Sequence, residues 1–220
     1  MGFSRHIKWI KVPVFLLCLV PAMTLLDGFL YAIWHVGYPR DLTANPLEFI
    51  RNSTGFWTLV FLCVTLSISP LRRLLQRNEL IRFRRMMGLF AFFYGCLHFV
   101  TYIWFEQSFD LQGTIQDVYM RPFITMGFAA FVAMIPLALT STSGMVRRLG
   151  GKRWQLLHRL VYISAIAGVI HYYWKVKSDT TIPVRFAVIV AVLLGYRVIA
   201  EVIKRRGGVS KQPAKVPISG

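Results

Sequence analysis

The amino-acid sequence predicts an all-α polytopic membrane protein, a bundle of six transmembrane helices with both termini in the cytoplasm. Three observations carry that expectation: the composition, the length of the apolar runs and the placement of the basic residues. Of 220 residues, 55% are hydrophobic, and the mean hydropathy is +0.53. A single soluble core of this size cannot hide so much apolar surface. Six stretches of about 20 apolar residues, the length that crosses ~30 Å of hydrocarbon, run approximately over 12–34, 53–69, 86–105, 122–140, 155–174 and 182–203. Backbone groups in lipid need internal partners, so runs of this length are helices; strands would be about half as long and would alternate.

The formal net charge of +17 comes from 26 Lys and Arg against nine Asp and Glu. Nineteen of the basic residues fall before the first run, in the second and fourth loops and in the tail, and six fall on the other side. Excess Lys and Arg in alternate loops marks the cytoplasmic face and attracts anionic lipid headgroups. Nucleic-acid binding is a poor explanation of the same charge. The run after RHIKWIK is too long for a secretory leader and has no A-x-A site, so it reads as a retained helix. Cys18, Cys63 and Cys96 all sit inside apolar runs, where they act as small apolar residues with no disulfide framework.

Outside the spans, two external loops, YPRDLTANPLEFIRN and the acidic EQSFDLQGTIQDVYM, are either solvated or open to a periplasmic partner. The segment 207–220, GGVSKQPAKVPISG with the preceding arginines removed, reads as a disordered cytoplasmic tail. No internal repeat, soluble domain, GxGxxG, Walker loop or CxxC is present, so no dinucleotide-binding module is expected.

The polar residues within the spans are the informative ones, because an ionisable group in lipid is costly and is a functional candidate by default. His98 lies in MMGLFAFFYGCLHFVTYIWF, and His158 and His171 lie in WQLLHRLVYISAIAGVIHYYW. His6 and His35, by contrast, sit at or beyond the membrane surface and read as interfacial. Both His98 and His171 follow a glycine by three positions, Gly95 and Gly168, on helices that run in the same direction. A small residue on the same face leaves either a recess for a flat macrocycle or a site of close helix packing. Recurrence of the pair with histidine favours the macrocycle, with His98 and His171 as axial ligands of one haem iron; the alternative is a structural pair, hydrogen-bonded to backbone or to each other. His158 is 13 residues before His171, about 20 Å away along a helix, and cannot share that iron. It is a candidate ligand of a second, inner haem, a contact for a flavin or quinone, or a headgroup contact beside Arg159. Asp27 in the first span is either hydrogen-bonded within the bundle or a proton-handling group near a quinone.

The runs RRMMGLFAFFYGCLHFVTY, RPFITMGFAAFVAMIPLALTSTSGMVRRLGGKRWQLLHRLVY and GVIHYYW resemble the MsrQ (YedZ) family, haem-binding membrane subunits of the bacterial protein-methionine-sulfoxide reductase system, within the wider ferric-reductase-like transmembrane group. The resemblance extends from about Lys11 to Arg206. It implies a multi-pass cytochrome b of the bacterial inner membrane that binds haem b and FMN. Electrons would come from quinol or from a cytoplasmic flavin reductase and pass to a periplasmic molybdopterin methionine sulfoxide reductase, MsrP. The family's histidines correspond to His98, His158 and His171. The wider group often carries two histidines on each of two helices, and this chain lacks the second on its third helix.

Two axial imidazoles leave iron no open position, which suits an electron carrier rather than an oxygen-activating centre. The partners of the imidazole N–H groups tune its potential, and Tyr94, Thr101, Tyr102 and Tyr172 are the expected candidates. The arginines of LIRFRR and RRLGGKRW offer cations to propionates, flavin phosphate or lipid phosphate. No residue set for sulfoxide chemistry is present, so the chain alone is expected to be inactive on sulfoxides. The competing classes are a proton-coupled transporter using Asp27 and the histidines, which predicts no chromophore, and a non-redox anchor, which predicts that all three histidines are dispensable.

Overall fold

The computed structural model describes residues 3–34 and 45–209. Its elements are helices α1 (Phe3–Trp34), α2 (Pro46–Leu74), α3 (Ile81–Phe105, entered through a short 3-10 turn at Asn78–Leu80), α4 (Leu111–Met120), α5 (Pro122–Leu139), α6 (Ser143–Leu149), α7 (Gly151–Leu157), α8 (Leu160–Lys175) and α9 (Thr181–Val209). No strand occurs among the described residues. His35 and the tail beyond Val209 lie outside them, whereas α9 carries helix three residues past Arg206.

Five helices, α1, α2, α3, α5 and α9, are long and apolar enough to cross a membrane. The continuous helix expected over 155–174 is instead divided. α7 ends at Leu157, His158 and Arg159 form a turn, and α8 follows with 16 residues, about 24 Å of helix against ~30 Å of hydrocarbon. The cause is local. Arg159 N–H bonds the Leu156 carbonyl three residues back, which tightens the last turn of α7, while the His158 ring is held sideways against α5. Gly150 sets the start of the same hairpin: its N–H caps α6 on Val146 and its carbonyl accepts from Trp154 in α7, a reversal that requires its φ of 76°.

The two ends of the bundle differ in chemistry. Arg72 and Arg73 close α2, Arg82, Arg84 and Arg85 open α3, and Arg147 and Arg148 close α6, so these termini form one arginine-rich end. At the opposite end α2 begins earlier than expected. Asn45 caps it by accepting the Glu48 N–H at 3.2 Å, and Pro46 takes the first helical position, where a missing N–H costs nothing. Arg51 and Asn52, expected in a loop, are therefore helical. The second external loop likewise contains α4, capped by the Asp110 side chain on Gln112 N–H.

The helices pair as α2 with α3 and α5 with α8, the two most extensive packings, and α9 lies against α2 and α8. Ala91 of α3 and Ala165 of α8 are fully buried, small residues that allow close backbone approach. α1 is attached differently. Tyr94 of α3, fully buried, donates its hydroxyl to the Cys18 carbonyl at 2.8 Å and accepts the Ala22 N–H at 3.0 Å, so it sits inside a bond that α1 would otherwise close on itself. Pro21 next to it already lacks a donor. Tyr94→Phe is expected to let that bond close directly and to lower stability by about 1 kcal/mol, read as a shift of the thermal unfolding curve in detergent.

Candidate functional site

A cavity of about 510 Å³ opens between α2, α3, α5 and α8, at the end opposite the arginines. Its size falls within the ~300–1,000 Å³ of cofactor and ligand sites. His98 and His171 both line it, with ring centres 6.0 Å apart and planes at 71°. His98 is seven residues from the end of α3 and His171 four from the end of α8, which gives the two rings similar depth. His158 does not line this cavity.

Each histidine is seated on its partner helix in the same way. His98 Nδ1 lies 2.9 Å from the Arg51 carbonyl of α2, and His171 Nδ1 lies 2.6 Å from the Phe123 carbonyl of α5. A carbonyl only accepts, so in both rings Nδ1 carries the proton and Nε2 is left with its lone pair. Four residues beyond each carbonyl stands a glycine. A Cβ on Gly55 would meet His98 Cε1 at 3.0 Å, and one on Gly127 would meet His171 Nδ1 at 2.7 Å. Only glycine lets the rings lie this close to the opposing backbones. The sequence separations of the two contacts, 47 and 48 residues, match. The unit of carbonyl, glycine and histidine therefore occurs twice, although the sequence shows no evident repeat.

Gly95 and Gly168, the glycines expected to form the recess, do line the cavity, but their nearest neighbours are Met134 and Leu59 side chains at 3.0 Å. The imidazole partners expected from sequence need correction. Tyr94 is bonded to α1, Thr101 donates to the His98 backbone carbonyl, Tyr102 donates to Asp117, and Tyr172 packs against Phe186. Main-chain carbonyls hold the rings instead. Thr54 approaches His98 Nδ1 at 3.4 Å, but its hydroxyl donates to the Arg51 carbonyl at 2.8 Å.

Charged groups ring the mouth: Arg51, Arg121, Lys175 and Lys177 with Glu48 and Glu106. Arg51 pairs with Glu106 and, at 4.0 Å, with Glu48; Lys175 donates to the Asn52 side chain. Arg121 pairs at 3.3 Å with Asp117, which also accepts from Tyr102 and Gln107. Arg51 Nε is buried without a hydrogen-bond partner, which leaves one donor of the mouth unsatisfied. The cavity therefore combines an apolar interior, two lone-pair nitrogens and a cation-rich rim.

His158 sits in a separate arrangement. Its Nε2 is 3.1 Å from the Thr140 hydroxyl, which already donates to the Pro136 carbonyl at 2.6 Å, so His158 Nε2–H is the donor. The Trp154 ring stacks on it with centres 3.8 Å apart, and Trp154 Nε1 donates to the Thr140 carbonyl at 2.9 Å. This tautomer is the reverse of that in the cavity. Thr140→Ala removes the only hydrogen-bond acceptor seen for Nε2 among the described residues. It is expected to cost about 1 kcal/mol in thermal unfolding and to leave ligand binding in the main cavity unchanged.

Among the described residues no cluster of three His, Cys, Asp or Glu could hold a bare metal ion, and Cys18, Cys63 and Cys96 are free thiols. Asp27 lines a shallow second cavity along α1 with Leu16, Leu19 and Met23. The side chain of His6 falls outside the described residues.

Residues 52–169 match the family model of the ferric reductase like transmembrane component, a stretch that includes His98 and His158 and stops just before His171. The chain is 56% identical over 188 residues to the protein-methionine-sulfoxide reductase heme-binding subunit MsrQ of Herminiimonas arsenicoxydans, covering 81% of this chain and 86% of that one. Identity to the protein of the same name from Ralstonia nicotianae is 50% over 196 residues, 88% and 87% of the two chains. With that of Rhodospirillum rubrum it is 46% over 198 residues, 90% and 91%. Together with the five apolar helices, these likenesses mark a multi-pass membrane protein. The chain belongs to the ferric reductase like transmembrane family and, within it, to the MsrQ group.

Proposed function

We propose that the chain is a membrane cytochrome b, the haem-binding subunit of a protein-methionine-sulfoxide reductase. In this reading His98 and His171 are the axial ligands of one haem b in the cavity. The supporting observation is the matched seating of the two rings, each with Nδ1–H on a backbone carbonyl and Nε2 free. Metal-bound histidines generally donate their second nitrogen in this way, which fixes the tautomer and raises ligand basicity. The ring centres stand 6.0 Å apart, near enough for one metal atom to reach both rings with bonds of about 2 Å. The glycines facing the rings, the apolar walls and the cationic rim also suit a macrocycle with carboxylate arms. The relatives, named as heme-binding subunits, agree.

When bound, haem b supplies a one-electron ferric/ferrous couple. His98 and His171 would hold it through Nε2, leaving no protein-free position for oxygen, and the Arg51 and Phe123 carbonyls would tune its potential through the Nδ1–H groups they accept from. At His158 the residues do not fit a second haem: Nε2–H is committed to Thr140, one ring face is covered by Trp154, and no second imidazole is placed beside it among the described residues. FMN enters the reading through the family resemblance alone.

The wider proposal places residues 1–206 in one six-span domain of the bacterial inner membrane. The turn at His158 and Arg159 would interrupt the fifth crossing, and the arginine-rich end would face the cytoplasm with both termini. Quinol or a cytoplasmic flavin reductase would donate electrons, and a periplasmic molybdopterin reductase, MsrP, would receive them and carry out the sulfoxide chemistry. The test is a dithionite-reduced minus oxidised spectrum of the purified chain, with pyridine haemochrome quantification, followed by mixing with oxidised MsrP. The expected result is a b-type spectrum, about one haem per chain, and reoxidation by MsrP. A well-folded protein that stays colourless after haem supplementation overturns the cytochrome reading; coloured protein that MsrP does not reoxidise overturns only the partner.

A further inference from the structure

A second polar centre lies toward the arginine-rich end, away from the histidine cavity. Arg197 is in the second half of α9, inside the span Thr181–Lys204. Its Nη1 donates to the Tyr162 hydroxyl of α8 at 2.8 Å and its Nη2 to the Leu66 carbonyl of α2 at 2.7 Å. The guanidinium carbon stands 5.1 Å from the centre of the Tyr162 ring. All these partners are neutral, and Arg197 Nε is buried with no acceptor at all. Arg84 of α3 lies close enough to interact electrostatically with Arg197, Tyr162 and His158. Among the described residues neither arginine has a carboxylate within 4.0 Å; the ion pairs of Arg51 and Arg121 are all at the opposite end.

Two neighbouring guanidiniums with no carboxylate within 4.0 Å among the described residues repel each other, and one of them has an unfilled donor. A membrane helix does not ordinarily retain such a charge without an anion or a functional partner. Guanidinium forks match the oxygens of phosphate, and basic pockets between transmembrane helices at an arginine-rich face take anionic headgroups. We propose that Arg84, Arg197 and Tyr162 form a binding site for a phosphate group, one that enters from the arginine-rich membrane surface between α3, α8 and α9. Arg84 is only partly buried, which leaves it reachable from that surface. The phosphate belongs either to an anionic phospholipid or to a soluble phosphate monoester, and the site stands whether or not the cavity holds haem.

The test is native mass spectrometry of the full-length protein purified in detergent: wild type, Arg84→Gln, Arg197→Gln, the double variant, and Arg147→Gln/Arg148→Gln as an exposed control. Wild type and control are expected to retain one phospholipid through delipidation, with occupancy at least about tenfold lower in the double variant. A parallel titration with flavin mononucleotide distinguishes the sources, because displacement of the lipid or direct binding that depends on Arg84 and Arg197 assigns the site to a soluble monoester. If Arg197→Gln disturbs folding, Arg84→Gln alone decides, since among the described residues Arg84 makes no hydrogen bond that its loss would remove. Equal lipid occupancy in all variants together with arginine-independent flavin binding overturns the proposal, as does absence of both ligands from wild type.

Discussion

His171→Ala and His98→Ala are each expected to reduce haem per purified chain at least tenfold, whereas His158→Ala keeps the main chromophore. Each of the first two removes one of the two free Nε2 lone pairs in the cavity, and among the described residues no other imidazole lines it to take over. Loss of an outer partner of a metal-bound histidine already costs ~10–100-fold in affinity, and loss of the ligand itself costs more. The alanine variants also leave room beside Gly55 or Gly127, so imidazole added to the buffer is expected to restore part of the spectrum. The measurement is pyridine haemochrome per chain, with circular dichroism as the folding control. Full haem content in either variant would remove that histidine from the axial role.

Gly127→Ala tests the seating rather than the ligand. Its Cβ would stand 2.7 Å from His171 Nδ1, the same atom that donates to the Phe123 carbonyl at 2.6 Å. The ring cannot keep that bond, so the variant is expected to lose haem by about one to two orders of magnitude and to shift the midpoint potential of what remains. Gly55→Ala, at 3.0 Å from His98 Cε1, changes both quantities in the same direction but less. Gly144→Ala is the control, with only Thr142 Oγ1 at 3.9 Å to meet. Unchanged haem content and potential in Gly127→Ala would mean that His171 is not seated on α5 when the cofactor is bound.

Part of this site was legible in the sequence. An ionisable ring in a membrane-length run is costly enough to stand out, and that cost selected His98, His158 and His171; the glycine three positions before His98 and His171 then set those two apart. Their partners were not legible, because Arg51 and Phe123 act through main-chain oxygens that any residue possesses. A signal did exist in Gly55 and Gly127, each at a similar distance before its histidine, but two glycines among 16 carry little weight without the helices in place. Arg51 was also hidden by the early start of α2: Asn45 and Pro46 form a helix entrance, while the apolar pattern begins several residues later. The turn at His158 escaped for a different reason. WQLLHRLVY contains no glycine or proline, and the break depends on a contact with Thr140 on another helix.

The matched half-sites also bear on how the molecule is assembled. The more extensive packings join α2 to α3 and α5 to α8, and one imidazole projects from each pair. Each pair can therefore orient its own ring before the two meet. A ligand grasped by both rings acts as a keystone across the seam. Its binding energy becomes folding energy in proportion to occupancy, so heat or protease should part the empty protein first between these two pairs.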